Sequence, residues 1–218
     1  MKIREIYKRL KGAYGFLNWW PGETKDEILI GAILTQRTNW RNVERAINRL
    51  KERGLLSIEK ICDANPDDLA NEIKGSGFYR EKAKRLKEIC KYIVENYGSI
   101  ENMMGKGMNE LREELLSLKG IGNETADDIL LYALEKPSFV VDAYTFRLIE
   151  RVFGKKAKNY YEAKRLFEES IEKDLEVYKD YHAQIVEHSK RHCRSKPICE
   201  GCPLADICEF NSASVNSP

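Results

Sequence analysis

Three groups of residues carry side chains that chemistry can use. Near the C-terminal end, Cys193, Cys199, Cys202 and Cys208 recur with the spacing C-x5-C-x2-C-x5-C, and only Cys62 and Cys90 lie elsewhere. Thiols so spaced can close disulfides, hold zinc or ligate an iron-sulfur cluster. A structural zinc site commonly presents two close pairs, and here only Cys199 and Cys202 form one. In mid-chain, LKGIGNETADDILLYAL sets Gly120 and Gly122 around Ile121 and opens a new helical pattern at Asn123 to Thr125. Two glycines this close permit positive φ and let backbone approach a ligand, and the N–H groups that open the next helix suit a phosphate. Further on, VVDAYTFRLIERVFG places Asp142 where the N-cap of an amphipathic helix is expected. A carboxylate at a helix start can also face a ligand, so the two roles are compatible.

Helices must position all three groups. EIYKRLKGAYG, KDEILIGAILTQ, WRNVERAINRLKERG, PDDLANEIKGSG, REKAKRLKEICKYIVENYG and LREELLSLKG all repeat apolar residues three and four apart. YYEAKRLFEESIEK and DLEVYKDYHAQIVEHSKRH extend the pattern, whereas FVV at 139–141 is too short for a confident strand. The expected fold class is all-α. A chain of 218 residues suffices for one large domain or two small ones. No apolar run approaches the roughly 20 residues of a membrane span, and the start MKIREIYKRLKGAYG is charged and amphipathic. A soluble, cytoplasmic protein without membrane contact is therefore expected. A reducing compartment disfavours disulfides and turns the clustered thiols towards metal. The net charge of +2 is too small to diagnose a nucleic-acid partner by itself.

The order of these features is specific. L-x-G-x-G-x-x-T-A between helices, then V-D-x-x-x-x-R, then four late cysteines, resembles the endonuclease III superfamily of helix-hairpin-helix DNA glycosylases. The resemblance runs from about Ile28 to Cys208. It implies a two-lobed helix-hairpin-helix fold: residues 23–135 form one helical domain, and 1–22 with 136–218 form the second lobe, with a cleft between them. It implies a [4Fe-4S] cluster on Cys193, Cys199, Cys202 and Cys208, although the first gap has five residues where the family usually has six. It assigns Gly120, Gly122, Asn123 and Thr125 to the DNA backbone and makes Asp142 the catalytic carboxylate. Such a group stabilises the oxocarbenium character that develops as an N-glycosidic bond breaks, and it can orient or deprotonate water.

One departure and one likeness refine the expectation. Bifunctional members carry a nucleophilic lysine two residues after the second glycine. Glu124 stands there, and a carboxylate cannot form an imine. The implied activity is a monofunctional N-glycosylase of base-excision repair. Its partner would be double-stranded DNA with a damaged base, bound by a monomer in the nucleoid. FLNWWPGE, LTQRTNW and SGFYREKAKRL are similar to segments of the 3-methyladenine glycosylase branch; uracil-removing relatives share much of this framework. By that likeness Trp19 or Trp20, with Pro21 and Trp40, would sandwich the extruded base, and Tyr144 would line the pocket or pack. Gln36 or Arg37 would fill the gap left in the duplex. Arg80, Lys82, Lys84 and Arg85 form a charged helix face that would touch phosphates or simply be solvated. His182, His188 and His192 are expected as surface or polar-packing residues. The competing readings are a bifunctional glycosylase/lyase, which Glu124 opposes, and a noncatalytic iron-sulfur DNA-binding protein, which Asp142 opposes.

Overall fold

A computed structural model describes residues 2–17, 19, 20 and 22–215, without the side chains beyond 212. Every regular element among the described residues is helical. No helix among them is long and apolar enough to cross a membrane. The chain divides into two compact units: a discontinuous one, Met1–Trp19 with Phe139–Pro218, and a continuous one, Trp20–Ser138. The boundaries differ from the expected ones by three residues at each junction, for local reasons. Trp20 packs on Trp40 and Tyr132. Lys136 N donates to Leu130 O, and Ser138 Oγ donates to Asp127 Oδ1.

The discontinuous unit begins with α1 (Lys2–Tyr14), whose Ile3, Ile6 and Leu10 share one buried stripe. The continuous unit then runs through α2 (Lys25–Leu34), α3 (Trp40–Glu52), α4 (Ile58–Asp63), α5 (Pro66–Glu72), α6 (Tyr79–Tyr97), α7 (Ile100–Met103), α8 (Met108–Ser117) and α9 (Asn123–Asp128). Short polar residues start most of these helices. Thr24, Asn39, Ser57, Asn65 and Ser99 each accept a hydrogen bond from a backbone N–H two or three residues on. The amphipathic α3 and α6 bury Val43, Ile47, Leu50, Leu86, Ile89 and Ile93 in a common core. Truncating one such residue to Ala typically costs about 2–5 kcal/mol.

The segment after α9 differs from its neighbours. Ile129–Ala133 is a π-helical turn, closed by Leu134 N donating to Ile129 O at 2.9 Å. Its five residues are all buried, so this piece of helix is apolar on every side and lies in the middle of the unit.

The chain returns to the discontinuous unit through the buried Phe139–Val141, which pairs with no strand among the described residues. There follow α10 (Ala143–Phe153), α11 (Tyr160–Glu168), α12 (Leu175–Arg191) and α13 (Glu209–Val215). Phe139 stacks on Phe167 at 4.4 Å and meets Tyr178 and Tyr181 edge-on, which joins α11 and α12 in an aromatic core. α12 packs on α1 and α10. Tyr181 donates to Ile3 O at 2.8 Å, tying α12 to α1.

Candidate functional site

In the continuous unit, the hairpin between α8 and α9 is braced from two directions. Gly120 takes φ +85, a left-handed turn that favours glycine, and it lies against the flexible Arg85 side chain. Gly122 is extended instead (φ −96), with open space where a Cβ would sit; it leaves room rather than making a turn. Ile121 is buried beneath them. From one side, Gln36 Nε2 donates to Gly120 O at 3.1 Å and to Thr125 Oγ1 at 3.0 Å, while Arg85 donates to Gln36 Oε1. From the other, Arg112 on α8 donates to Asn123 Oδ1 at 2.8 Å and to both oxygens of the buried Asp127.

These bonds engage the side chains of three residues expected to meet DNA. Thr125 is buried, Asn123 is committed to Arg112, and Gln36 is held against the turn, so their side chains set the hairpin's shape. Arg37, Gly120, Gly122 and Glu124 remain exposed. Lys82 is a plain correction: it is 1% exposed, and its Nζ donates to Leu34 O at 2.7 Å and Ser76 O at 2.6 Å. Burial, and secondarily the charge of Arg85, lowers its pKa to about 8.

A surface cavity of about 380 Å³ lies beside the hairpin, lined among others by Gln36, Arg37, Phe78, Arg85 and Gly122. Arg37 and Phe78 both hold left-handed backbone, at φ 53 and 47. Phe78 is nevertheless 62% exposed. A strained backbone presenting a large apolar ring to solvent is a costly arrangement that folding alone does not require. The sequence offered Phe78 only as one letter of the SGFYREKAKRL segment, because its exposure depends on tertiary packing.

Trp20, Trp40 and Tyr132 form an aromatic cluster in the same unit. Trp20 meets Trp40 edge-on at 5.7 Å and 80°, and lies 4.9 Å from Tyr132. Rings in edge contact leave no parallel slot, so these two tryptophans do not form the expected base sandwich with each other. Trp19 belongs to the discontinuous unit, where its ring lies 5.6 Å from that of His182. Pro21 lies outside the described residues.

Asp142 is the N-cap of α10. Its Oδ1 accepts from Thr145 N at 2.7 Å and from Thr145 Oγ1 at 2.9 Å. Its Oδ2 faces His182 Nε2 at 3.6 Å, with the aspartate side chain 13% exposed. Burial by itself would raise the carboxyl's pKa; the His182 imidazole and the Thr145 donors outweigh it and hold the group below the ordinary aspartate value. The segment leading to Trp19 is anchored by α12 as well. Buried Asp180 accepts from Leu17 N at 2.8 Å and from Tyr7 Oη at 2.7 Å, and Gln184 donates to Gly15 O at 2.6 Å. One helix thus positions both Trp19 and the partner of Asp142. His182 and His188 are buried, which excludes the surface role but fits polar packing.

Tyr144 packs beneath Arg147, 5.1 Å from the ring centroid. Arg147 Nε donates to Cys193 O at 2.7 Å, while Arg151 donates to Arg194 O at 2.6 Å, Ser195 O at 3.0 Å and Cys193 Sγ at 3.2 Å. The helix capped by Asp142 is therefore stitched to the cysteine loop. All four loop cysteines are free thiols. Burial raises the pKa of Cys202, and the nearby Cys199, Cys208 and Cys193 raise it further by charge repulsion. Four thiols with guanidinium donors beside them fit a polynuclear cation in number and chemistry. Among the described residues, no three His, Cys, Asp or Glu side chains converge as a preformed metal site.

An all-helical chain with a two-glycine hairpin braced at both ends and a capped, partly buried carboxylate defines a helix-hairpin-helix repair fold. The chain belongs to the HhH-GPD superfamily of base excision DNA repair proteins, whose model matches residues 30–173, and with it to the DNA glycosylases. It is 55% identical over 210 residues to a Methanocaldococcus jannaschii protein provisionally named a DNA repair glycosylase, covering 94% of this chain and 95% of that relative. It is 35% identical over 184 residues to a protein named endonuclease III from Thermotoga maritima, covering 84% and 82%. Among solved structures, the H. pylori 3-methyladenine DNA glycosylase bound to 1,N6-ethenoadenine aligns with TM-score 0.79 and 33% identity, over 87% of this chain and 97% of that one.

Proposed function

We propose that the protein is a monofunctional DNA N-glycosylase that removes a damaged base by hydrolysis and leaves an abasic site. The carrying observation is Asp142: a carboxylate kept ionised at a helix start, in a chain whose hairpin offers Glu124 where a lyase would need an amine. In this reading the continuous unit grips duplex DNA through the exposed hairpin glycines, Arg37 and Phe78 entering the helix where a base has left. The discontinuous unit supplies the carboxylate. As the C1′–N bond breaks, the base departs with the bonding electrons and positive charge develops on the sugar. Asp142 Oδ2 stabilises that charge and orients the water that adds to C1′.

An alkylated purine is the favoured substrate class. The electron-rich face of Trp19, which lies beside His182 in the unit that carries Asp142, suits a cationic base, and the similarity to the H. pylori enzyme with its ethenoadenine supports the same choice; uracil is the second candidate. Cys193, Cys199, Cys202 and Cys208 would hold a [4Fe-4S] cluster, which on binding fixes the loop and its basic side chains.

The test is a panel of duplexes carrying 3-methyladenine, 1,N6-ethenoadenine, hypoxanthine, uracil or an oxidised pyrimidine, read by base release and by trapping with borohydride. Release of an alkylated purine without a trapped adduct is expected. A covalent adduct would show an imine and overturn the hydrolytic reading.

A further inference from the structure

Asp142 divides its two oxygens between different tasks. Oδ1 is saturated by the cap, taking both Thr145 bonds, while Oδ2 faces α12. The side chain that meets Oδ2 is His182, 4% exposed. Its ring cannot swing away freely, because Trp19 lies against it and α12 is pinned on either side of it by Tyr181 and Gln184. A bare Nε2 would turn its lone pair on the carboxylate, so Nε2 carries the proton in both charge states of the ring.

We propose that His182 is a positioning residue for the reaction: through Nε2–H it holds Oδ2 of Asp142 in place for the reacting sugar. The proposal rests on the assignment of Asp142. At 3.6 Å the contact is longer than a hydrogen bond, and in this proposal it tightens when substrate fills the space beside it. Among the described residues of the same unit, the Lys190 ammonium lies 5.8 Å over the Trp19 ring and the Tyr160 hydroxyl accepts from Val141 N at 3.4 Å. Neither meets Oδ2 as His182 does. Sequence reasoning treated the three histidines alike, since forty residues separate His182 from its partner.

Two variants and one unaltered protein test this. His182→Phe keeps a flat ring without a donor, and His182→Gln keeps a donor without a titrating ring. Base release under single turnover should fall about tenfold to a hundredfold in His182→Phe, the scale of a misplaced catalytic group, with duplex affinity unchanged. The carboxyl carbon resonance of Asp142 should titrate at higher pH in His182→Phe and near its wild-type position in His182→Gln. In the wild-type protein, nitrogen shifts should identify the neutral ring of His182 as the Nε2–H tautomer, a readout independent of whether a variant folds. An Nδ1–H tautomer overturns the proposal, as does a His182→Phe protein with wild-type rate and titration. If Asp142→Asn itself retains base release, the underlying assignment fails; if Asp142→Asn is inactive and His182→Phe normal, only the role of His182 fails.

Discussion

Arg112 on α8 and Asp127 on α9 form a two-bond pair across the hairpin, Nε to Oδ1 at 2.9 Å and Nη2 to Oδ2 at 3.2 Å. The carboxylate is fully buried and also accepts from Ser138 Oγ at 2.7 Å. Removing the guanidinium strands a buried charge. Arg112→Met should lower stability by about 3–5 kcal/mol, read as a drop in the urea midpoint. Pairing it with Asp127→Leu should recover part of the loss, because no unpaired charge then remains.

Lys82 makes stability depend on alkaline pH. Its folded pKa of about 8 lies below the ordinary lysine value. Below pH 8 the amine is charged in both states and the fold carries the full cost of burying it. Between pH 8 and about 10.5 the unfolded chain binds more protons than the folded one, so stability conferred by this group rises with pH. The gain approaches about 3 kcal/mol at most. The urea-determined difference between wild type and Lys82→Met should therefore widen between pH 7.5 and 10. A constant difference would place the amine in water. At neutral pH, Lys82→Met should still cost about 1–3 kcal/mol, since Leu34 O and Ser76 O lose their donor.

What the sequence disclosed, and what it hid, follows from range. The α10 cap was readable because Asp142 bonds a residue three places on, and the hairpin was readable because glycine spacing is local. Lys82 looked like one more charge on a solvated helix; its acceptor Leu34 O lies 48 residues away. The edge-on packing of Trp20 and Trp40 depends on tertiary packing that adjacent letters do not encode. Gln36 was legible as a polar side chain for the gap in the duplex and Asn123 as a residue of the backbone-binding turn, but the intramolecular partners of their side chains lie beyond local reach of the sequence.

Phe78 trades stability for its exposed position. Phe78→Gly relieves left-handed strain worth about 1–2 kcal/mol and should raise the urea midpoint. Under the proposed function it should also lower single-turnover base release about tenfold or more, since the duplex loses its apolar insert. A gain in stability with unchanged base release would make the ring a bystander.

Arg147 and Arg151 lock the cysteine loop to α10 through four hydrogen bonds to the loop. If a cluster occupies that loop, replacing both arginines by alanine should speed iron loss to a chelator about tenfold to a hundredfold, as for other groups that orient metal ligands. Unchanged iron release would confine their role to the fold.

The most direct measurement is single-turnover base release by Asp142→Asn alongside duplex affinity, with the wild-type rate as reference. The substitution preserves the shape of the side chain and the acceptor that caps α10, and it removes the negative charge. The account predicts that affinity persists while base release falls by three orders of magnitude or more, on the order of 4 kcal/mol of lost transition-state stabilisation. Base release within tenfold of wild type would contradict it.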